Sequence, residues 1–315
     1  MASTGPRSFG ERWLVWLLLL LAVVGSAWLI RRPPPKRAPA VAAASPDPLR
    51  FVPAGAELVI TVDVEALAKA AAPDLLAAGG FRFLGLRQDC GFEPLLEMRR
   101  LAFAVPSRGP EEGNDFALIA ETSLQVEPML RCAETLISKR GGRPVRSELG
   151  RFRAVRDQAK PGGELAIRPD GVFVLSGGGY FRDVLDTING SAIPDETAKL
   201  RAAVHSGLRR QLGPADLLIT LLPGRFMPLA EVQALALAVR VKQHLEIVGF
   251  VGCSKPETCS AARALLERMK ADLVREPELG GLQSLTIEQG KAGLELSGQL
   301  PRQALVPVLQ QLLAP

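Results

Sequence analysis

The chain has 315 residues and a formal net charge of +5. That excess sits in the first fifty residues, where Arg7, Arg12, Arg31, Arg32, Lys36, Arg37 and Arg50 face only Glu11 and Asp47; the rest of the chain holds 31 basic and 31 acidic side chains. A body without surplus cations cannot displace phosphate counterions in quantity, so no nucleic-acid partner is expected.

Residues 1–12 read as a short cytoplasmic tail. Residues 13–30, WLVWLLLLLAVVGSAWLI, form an uncharged apolar run. At 1.5 Å per residue the run reaches roughly 27 Å, close to the hydrocarbon thickness of a bilayer. All three tryptophans, Trp13, Trp16 and Trp28, lie near its ends, where indole rings favour the membrane–water boundary. A cleaved signal peptide is the competing reading, with Gly25 and Ala27 or the later Ala42–Ser45 as cut sites. The length of the run favours a retained transmembrane anchor. Orientation draws on two opposed signals. Arg31, Arg32, Lys36 and Arg37 would hold the C-terminal side in the cytoplasm, whereas the short tail and the even cysteine count place it outside. The second reading is adopted: a single pass through a bacterial inner membrane, with the body in the periplasm. Residues 31–50 are a Pro/Ala-rich linker with Pro33, Pro34, Pro35, Pro39, Pro46 and Pro48. Fully extended, it would reach about 60 Å from the bilayer.

In the body, Glu57–Val64 is apolar and β-branched, which predicts a buried strand. Glu65–Ala78 reads as an alanine-rich helix that Gly79-Gly80 ends. Strands are expected at Arg100–Val105 and Phe116–Glu121. Apolar residues three and four apart predict a helix over Leu124–Ser138. Strands follow at Phe152–Arg156, Glu164–Arg168 and Val172–Ser176, then a helix over Tyr180–Ile188 that Asn189-Gly190 stops. The next helix, Thr197–Leu212, leads to strands Ala215–Leu222, Ala234–Val241 and Leu245–Val251. A helix over Lys255–Asp272 is capped by Ser254 with Glu257 three residues on. Strands Leu282–Gln289 and Gly293–Gln299 precede a last helix opened by Pro301.

The element order repeats, and some wording repeats with it. Asp216-Leu217-Leu218-Ile219-Thr220 echoes Glu57-Leu58-Val59-Ile60-Thr61, and Leu294-Glu295-Leu296-Ser297-Gly298 echoes Phe173-Val174-Leu175-Ser176-Gly177. An internal repeat is therefore expected, with insertions in the first half around Cys90 and Gly142–Arg156. The fold class predicted is α+β: two similar lobes, 51–190 and 191–315, each a mostly antiparallel sheet with helices on one face.

Four cysteines, Cys90, Cys132, Cys253 and Cys259, permit three connectivities. Pairing within each half, Cys90 with Cys132 and Cys253 with Cys259, is the preferred one, and it requires an oxidising compartment. The nucleophilic and metal chemistries lack their parts. Only His205 and His244 are present, no G-x-S-x-G occurs, and Cys253 and Cys259 lack both the tight spacing and the companions of a zinc site. His205 is placed on a solvated helix face beside Arg209 and Arg210, and His244 in a turn. Ser176-Gly177-Gly178-Gly179 runs from strand to helix and is read as a tight turn rather than an anion cradle. Asp63 is expected to cap the helix after the first strand. No catalytic, cofactor-binding or metal residue is assigned, and no cofactor is expected.

Leu49-Arg50-Phe51-Val52-Pro53-Ala54 running into Glu57–Val64, with the later Cys90-Gly91-Phe92-Glu93-Pro94-Leu95, resembles the exported, singly membrane-anchored proteins of unknown function of myxobacteria-like bacteria. The resemblance implies an envelope location and transfers no site residues. The functional expectation is a non-enzymatic binding or scaffolding protein that meets an unknown protein or small ligand. Its surface would be the apolar face of a terminal sheet or the seam between the lobes. The alternatives are an envelope enzyme that gathers Asp63, Asp89 and Asp115 from distant loops, and a cytosol-facing membrane adaptor.

Overall fold

Strand after strand in this chain carries apolar side chains on both faces, and that pattern governs the architecture. In the computed structural model, the residues described are 47–66, 89–92, 97–107, 115–159, 163–224, 232–275, 277–290 and 293–301. The apolar run 13–30, most of the linker, the bulk of the helix expected after Glu65 and the last helix beyond Pro301 lie outside them. Among the described residues no helix is long and apolar enough to cross a membrane.

A 3-10 turn at Pro48–Phe51 opens the body, followed by β1 (Ala56–Asp63), β2 (Met98–Pro106), β3 (Phe116–Thr122) and α1 (Val126–Lys139). Then come β4 (Pro144–Leu149), β5 (Phe152–Asp157), β6 (Glu164–Ile167), β7 (Val172–Gly177) and α2 (Tyr180–Asn189). The second half holds α3 (Glu196–Leu212), β8 (Leu217–Leu221), β9 (Val232–Val241), β10 (His244–Cys253) and α4 (Pro256–Val274). A 3-10 segment at Pro277–Ser284, β11 (Thr286–Gln289) and β12 (Gly293–Pro301) complete it. The fold is α+β, and its twelve described strands form one antiparallel sheet in the order β11-β12-β10-β9-β8-β1-β2-β3-β7-β6-β5-β4.

Two expectations are corrected here. The halves do not stand as separate sheets: β1 and β8, the edge each half would otherwise expose, pair with each other and satisfy their backbone groups. Nor do the helices share one face. In β3, Ala117 and Ile119 lie under α2 with Tyr180, Phe181 and Val184, whereas Ala120 lies under α1 with Met129, Leu130 and Ala133. Alternate residues of a strand point to opposite faces, so α1 and α2 cover opposite sides. The same holds in the second half. Leu208 and Leu212 of α3 pack on Ala234, Ala236 and Ala238, and Cys259 and Ala262 of α4 pack on Val251 and Leu294 on the other side. We call the side of α1 and α4 the front and that of α2 and α3 the back. A strand apolar on only one face would have needed one layer of helices; these strands need two.

Local signals explain most boundaries. Asp195 accepts a hydrogen bond from the Ala198 amide at 2.7 Å and starts α3. Gly190, at φ 72°, ends α2 as the Asn-Gly pair predicts. Asp63 accepts from the Ala66 amide at 2.8 Å, the cap expected of it. Three expectations shift. α4 opens on Pro256 at its first helical position rather than from a Ser254 cap. Most of the strand expected over Leu282–Gln289 is the 3-10 segment, leaving only four residues to β11. β4 went unforeseen, because Pro144-Val145-Arg146-Ser147-Glu148-Leu149 carries little apolar character and lies at the sheet edge.

Candidate binding surface

The seam between the halves is the strand pair β1–β8, with Leu58 opposite Leu221, Ile60 opposite Ile219 and Val62 opposite Leu217. All six side chains point to the front and are buried. β2 continues the stripe on one side with Leu101 and Phe103, and β9 continues it on the other with Leu235 and Leu237, all half-buried. The Phe103 and Phe116 rings stack with centroids 5.9 Å apart. The stripe therefore crosses β3, β2, β1, β8 and β9 without a charged group. Among the described residues it consists of strand side chains, save Val64 just beyond β1.

The helices α1 and α4 flank the stripe, and each carries a disulfide. Cys90–Cys132 ties the segment before β2 to α1, and Cys253–Cys259 ties the end of β10 to α4. No free cysteine remains among the described residues. These are the pairs expected from the sequence, and two disulfides in one body mark an oxidising, exported compartment. On the outer flank of α1, Arg146 of β4 donates to Glu127 and Glu134, holding both carboxyls below the usual range. That fork fastens the β4–β5 hairpin to the helix.

Behind the same seam the chemistry is polar. His205 of α3, expected on a solvated face, is buried. Its Nδ1 lies 2.7 Å from Thr220 Oγ1, and its Nε2 lies 3.1 Å from the Ala56 carbonyl oxygen. A carbonyl only accepts, so the neutral ring carries its proton on Nε2, and Thr220 donates to Nδ1. Burial pushes the imidazole down to about 4; the Ala56 carbonyl opposes this, and Arg209 and Arg201 add to it. One turn further along, Arg209 is pushed down to about 10 by burial, against the pull of Asp47. Its Nε and Nη2 are buried without a hydrogen-bond partner among the described residues. The residue pattern Arg201, His205, Arg209 repeats every four positions and shares a face with Leu208 and Leu212. That spacing was the available sign that His205 faces inward.

Of the other sequence candidates, Asp63 and Asp115 are kept apart. They lie at opposite ends of the β1–β2–β3 ladder, seven residues of extended chain apart, or roughly 20 Å. Asp63 pairs with Arg100 at 3.7 Å, and Asp89 pairs with Lys139. The Asp115 carboxylate sits where a Cβ on Gly178 would have to go. It thus holds an acid against the Ser176–Gly179 turn, which an incoming anion would meet first. Gly178 has φ 62°, the left-handed conformation a tight turn requires. His244 is exposed at the start of β10, in the β9–β10 hairpin. Among the described residues, no group of three or more His, Cys, Asp or Glu side chains is placed to hold a metal ion.

In class, then, this is an α+β protein built on one large antiparallel sheet with a charge-free seam. No protein-family model matches the sequence, and no curated protein matches it. Among solved structures, one described as crystal form I of TP0453 is similar at a TM-score of 0.47 and 11% identity, covering 85% of this chain and 98% of that one.

Proposed function

We propose that the chain is an envelope protein held to a bacterial inner membrane by residues 13–30, with its body in the periplasm and a binding rather than catalytic role. The two disulfides support the location, because both close within the folded body. The observation that carries the binding role is the charge-free front stripe, laid across five strands between two disulfide-tied helices. The centre of the stripe is buried, and its half-buried margins, Leu101, Phe103, Leu235 and Leu237, are the part that suits an apolar partner. Of the three acids that an enzyme reading would gather, Asp63 and Asp115 lie at opposite ends of the β1–β2–β3 ladder, and Asp63 and Asp89 each pair with a basic side chain. We propose further that the two halves are copies of one unit. Outward from the seam the first half runs β1-β2-β3-β7-β6 and the second runs β8-β9-β10-β12-β11, with hairpin β4–β5 added to the first alone.

The test of binding is titration of the purified chain with an anilinonaphthalene sulfonate dye. Saturable binding is expected, weakened by Leu237→Lys and by Leu101→Lys on the two sides of the seam. Binding that ignores both substitutions removes the stripe as the working surface. A periplasm-dependent reporter fused after residue 315 tests the location: an active fusion is expected, and an inactive one at normal expression overturns it.

A further inference from the structure

We propose that the seam is a self-complementary interface, so that this chain is a linked pair of like units and the partner the β1 edge fits is another copy of its own unit. This rests on reading the halves as copies, and the sheet register carries it. Placing Ile60 on Ile219, as the echoed wording does, makes Leu58 equivalent to Leu217 and Val62 equivalent to Leu221. The pairs Leu58–Leu221 and Val62–Leu217 then exchange into each other, and the pair Ile60–Ile219 exchanges into itself. The flanking hydrogen bonds obey the same exchange: Asp63 N–H donates to the Asp216 carbonyl at 2.8 Å, and Leu222 N–H donates to the Glu57 carbonyl at 2.9 Å. This is the pattern of a two-fold contact, in which one patch meets itself.

The equivalence can be walked outward through the ladder. Leu58 faces Val105 and Leu217 faces Val239, so β2 maps on β9 with Leu101 on Leu235. Their partners, Ala120 and Val251, map β3 on β10. The next partners are Phe173 and Leu294. Those two residues open the second pair of echoed segments, a match of letters made without any use of the first. Three successive strand pairings in each half thus connect two separate echoes without a slip of one residue, although one slip would turn every side chain to the wrong face.

The covalent arrangement permits a direct test. Neither disulfide crosses between the halves, and the connection Gly190–Asp195 is exposed, with Ile193 at 96%. A protease site placed between Ala192 and Pro194 of the full chain would be cut and the fragments followed by size and by association constant. The cut halves are expected to stay together at micromolar concentration and to find each other again after denaturation with the disulfides intact. Ile60→Ala and Ile219→Ala, one position under the exchange, should each weaken association 10- to 1,000-fold and agree within about threefold. Ile247→Ala, in β10 away from the seam, should leave association unchanged. Where an alanine variant does not fold, Ile60→Val and Ile219→Val give the same comparison at smaller amplitude. Halves that separate on cutting overturn the interface. Halves that stay together with substitution effects differing more than tenfold overturn the equivalence.

Discussion

The two sides of the seam differ in what they bury. In front, the β1–β8 pair buries only hydrocarbon: Leu58, Ile60, Val62, Leu217, Ile219 and Leu221. Behind, the same two strands present Thr220 and the Ala56 carbonyl to His205, under a helix that also buries much of Arg209. The front gains from removing apolar surface from water and asks for no direction. The back holds polar groups whose burial is tolerable only with partners in place. Adhesion and specificity are thereby divided between faces. The front joins the halves, and the back fixes α3 across the join, since its histidine reaches from the second half to a carbonyl of the first.

The comparison breaks most readily from the front. Leu58→Ala should cost about 2–5 kcal/mol in urea unfolding, the range for deleting a buried leucine, through lost transfer energy and the cavity left behind. Leu221→Ala, its cross-strand neighbour, should cost a similar amount. The double variant should cost less than the sum, because the two side chains share a contact. Full additivity would mean that the two leucines do not pack on each other.

The back should show itself in pH dependence. The folded-state pKa of His205 is depressed from 6.5 to about 4, so the unfolded chain binds its proton first as acid is added. The neutral ring's contribution is therefore complete above about 6.5 and is lost as pH falls through about 4. The full difference is about 3 kcal/mol. Carboxylates such as Glu127 and Glu134 also lose stabilisation on acidification, so the measurement is a difference. Unfolding free energies of the parent and of His205→Leu, taken every half unit from pH 7.5 to 4, should converge as pH falls. Curves that stay parallel would show that the ring does not titrate in this window.

The front was more legible in sequence than the back, for a physical reason. A strand buried on both faces announces itself by an unbroken β-branched and aliphatic run, as in Glu57–Val64, so the strands are readable, although their joining into one sheet at the seam is not. The pairing of cysteines within halves followed from the same division of the chain. Phe173 and Val174, adjacent and both apolar, also imply helices on both faces, against the single layer expected. β4 escaped because an edge strand with Arg146 and Glu148 needs no apolar run. His205 escaped because the flanking arginines were read as a sign of solvent. In fact Arg201 and Arg209 lie one turn to either side on its own face, and the long arginine stem lets such a face pack inward. A buried histidine is recognisable only through its partners, here Thr220 and Ala56, which lie far away in sequence.

Arg209 supplies the smallest effect and the sharpest contrast. Its guanidinium keeps Nε and Nη2 buried without acceptors among the described residues, and the charge of Asp47 acts on it through space. A buried cation with incomplete partners costs desolvation that its attractions do not return, and a hydrophobe of similar volume often does better. Arg209→Met keeps the length and flexibility of the stem while removing the charge. It should be neutral or stabilising by about 1 kcal/mol in urea unfolding at pH 7. It should also raise the pKa of His205, because one of the two cations that disfavour the imidazolium is gone. The acid limb of stability would still begin near 6.5, the unfolded value, and would end at a higher folded-state value, read by histidine titration in NMR. A destabilised Arg209→Met with an unchanged His205 titration would mean that the guanidinium is bonded rather than stranded, and that the back of the seam is held by a charge pair as well as by the histidine.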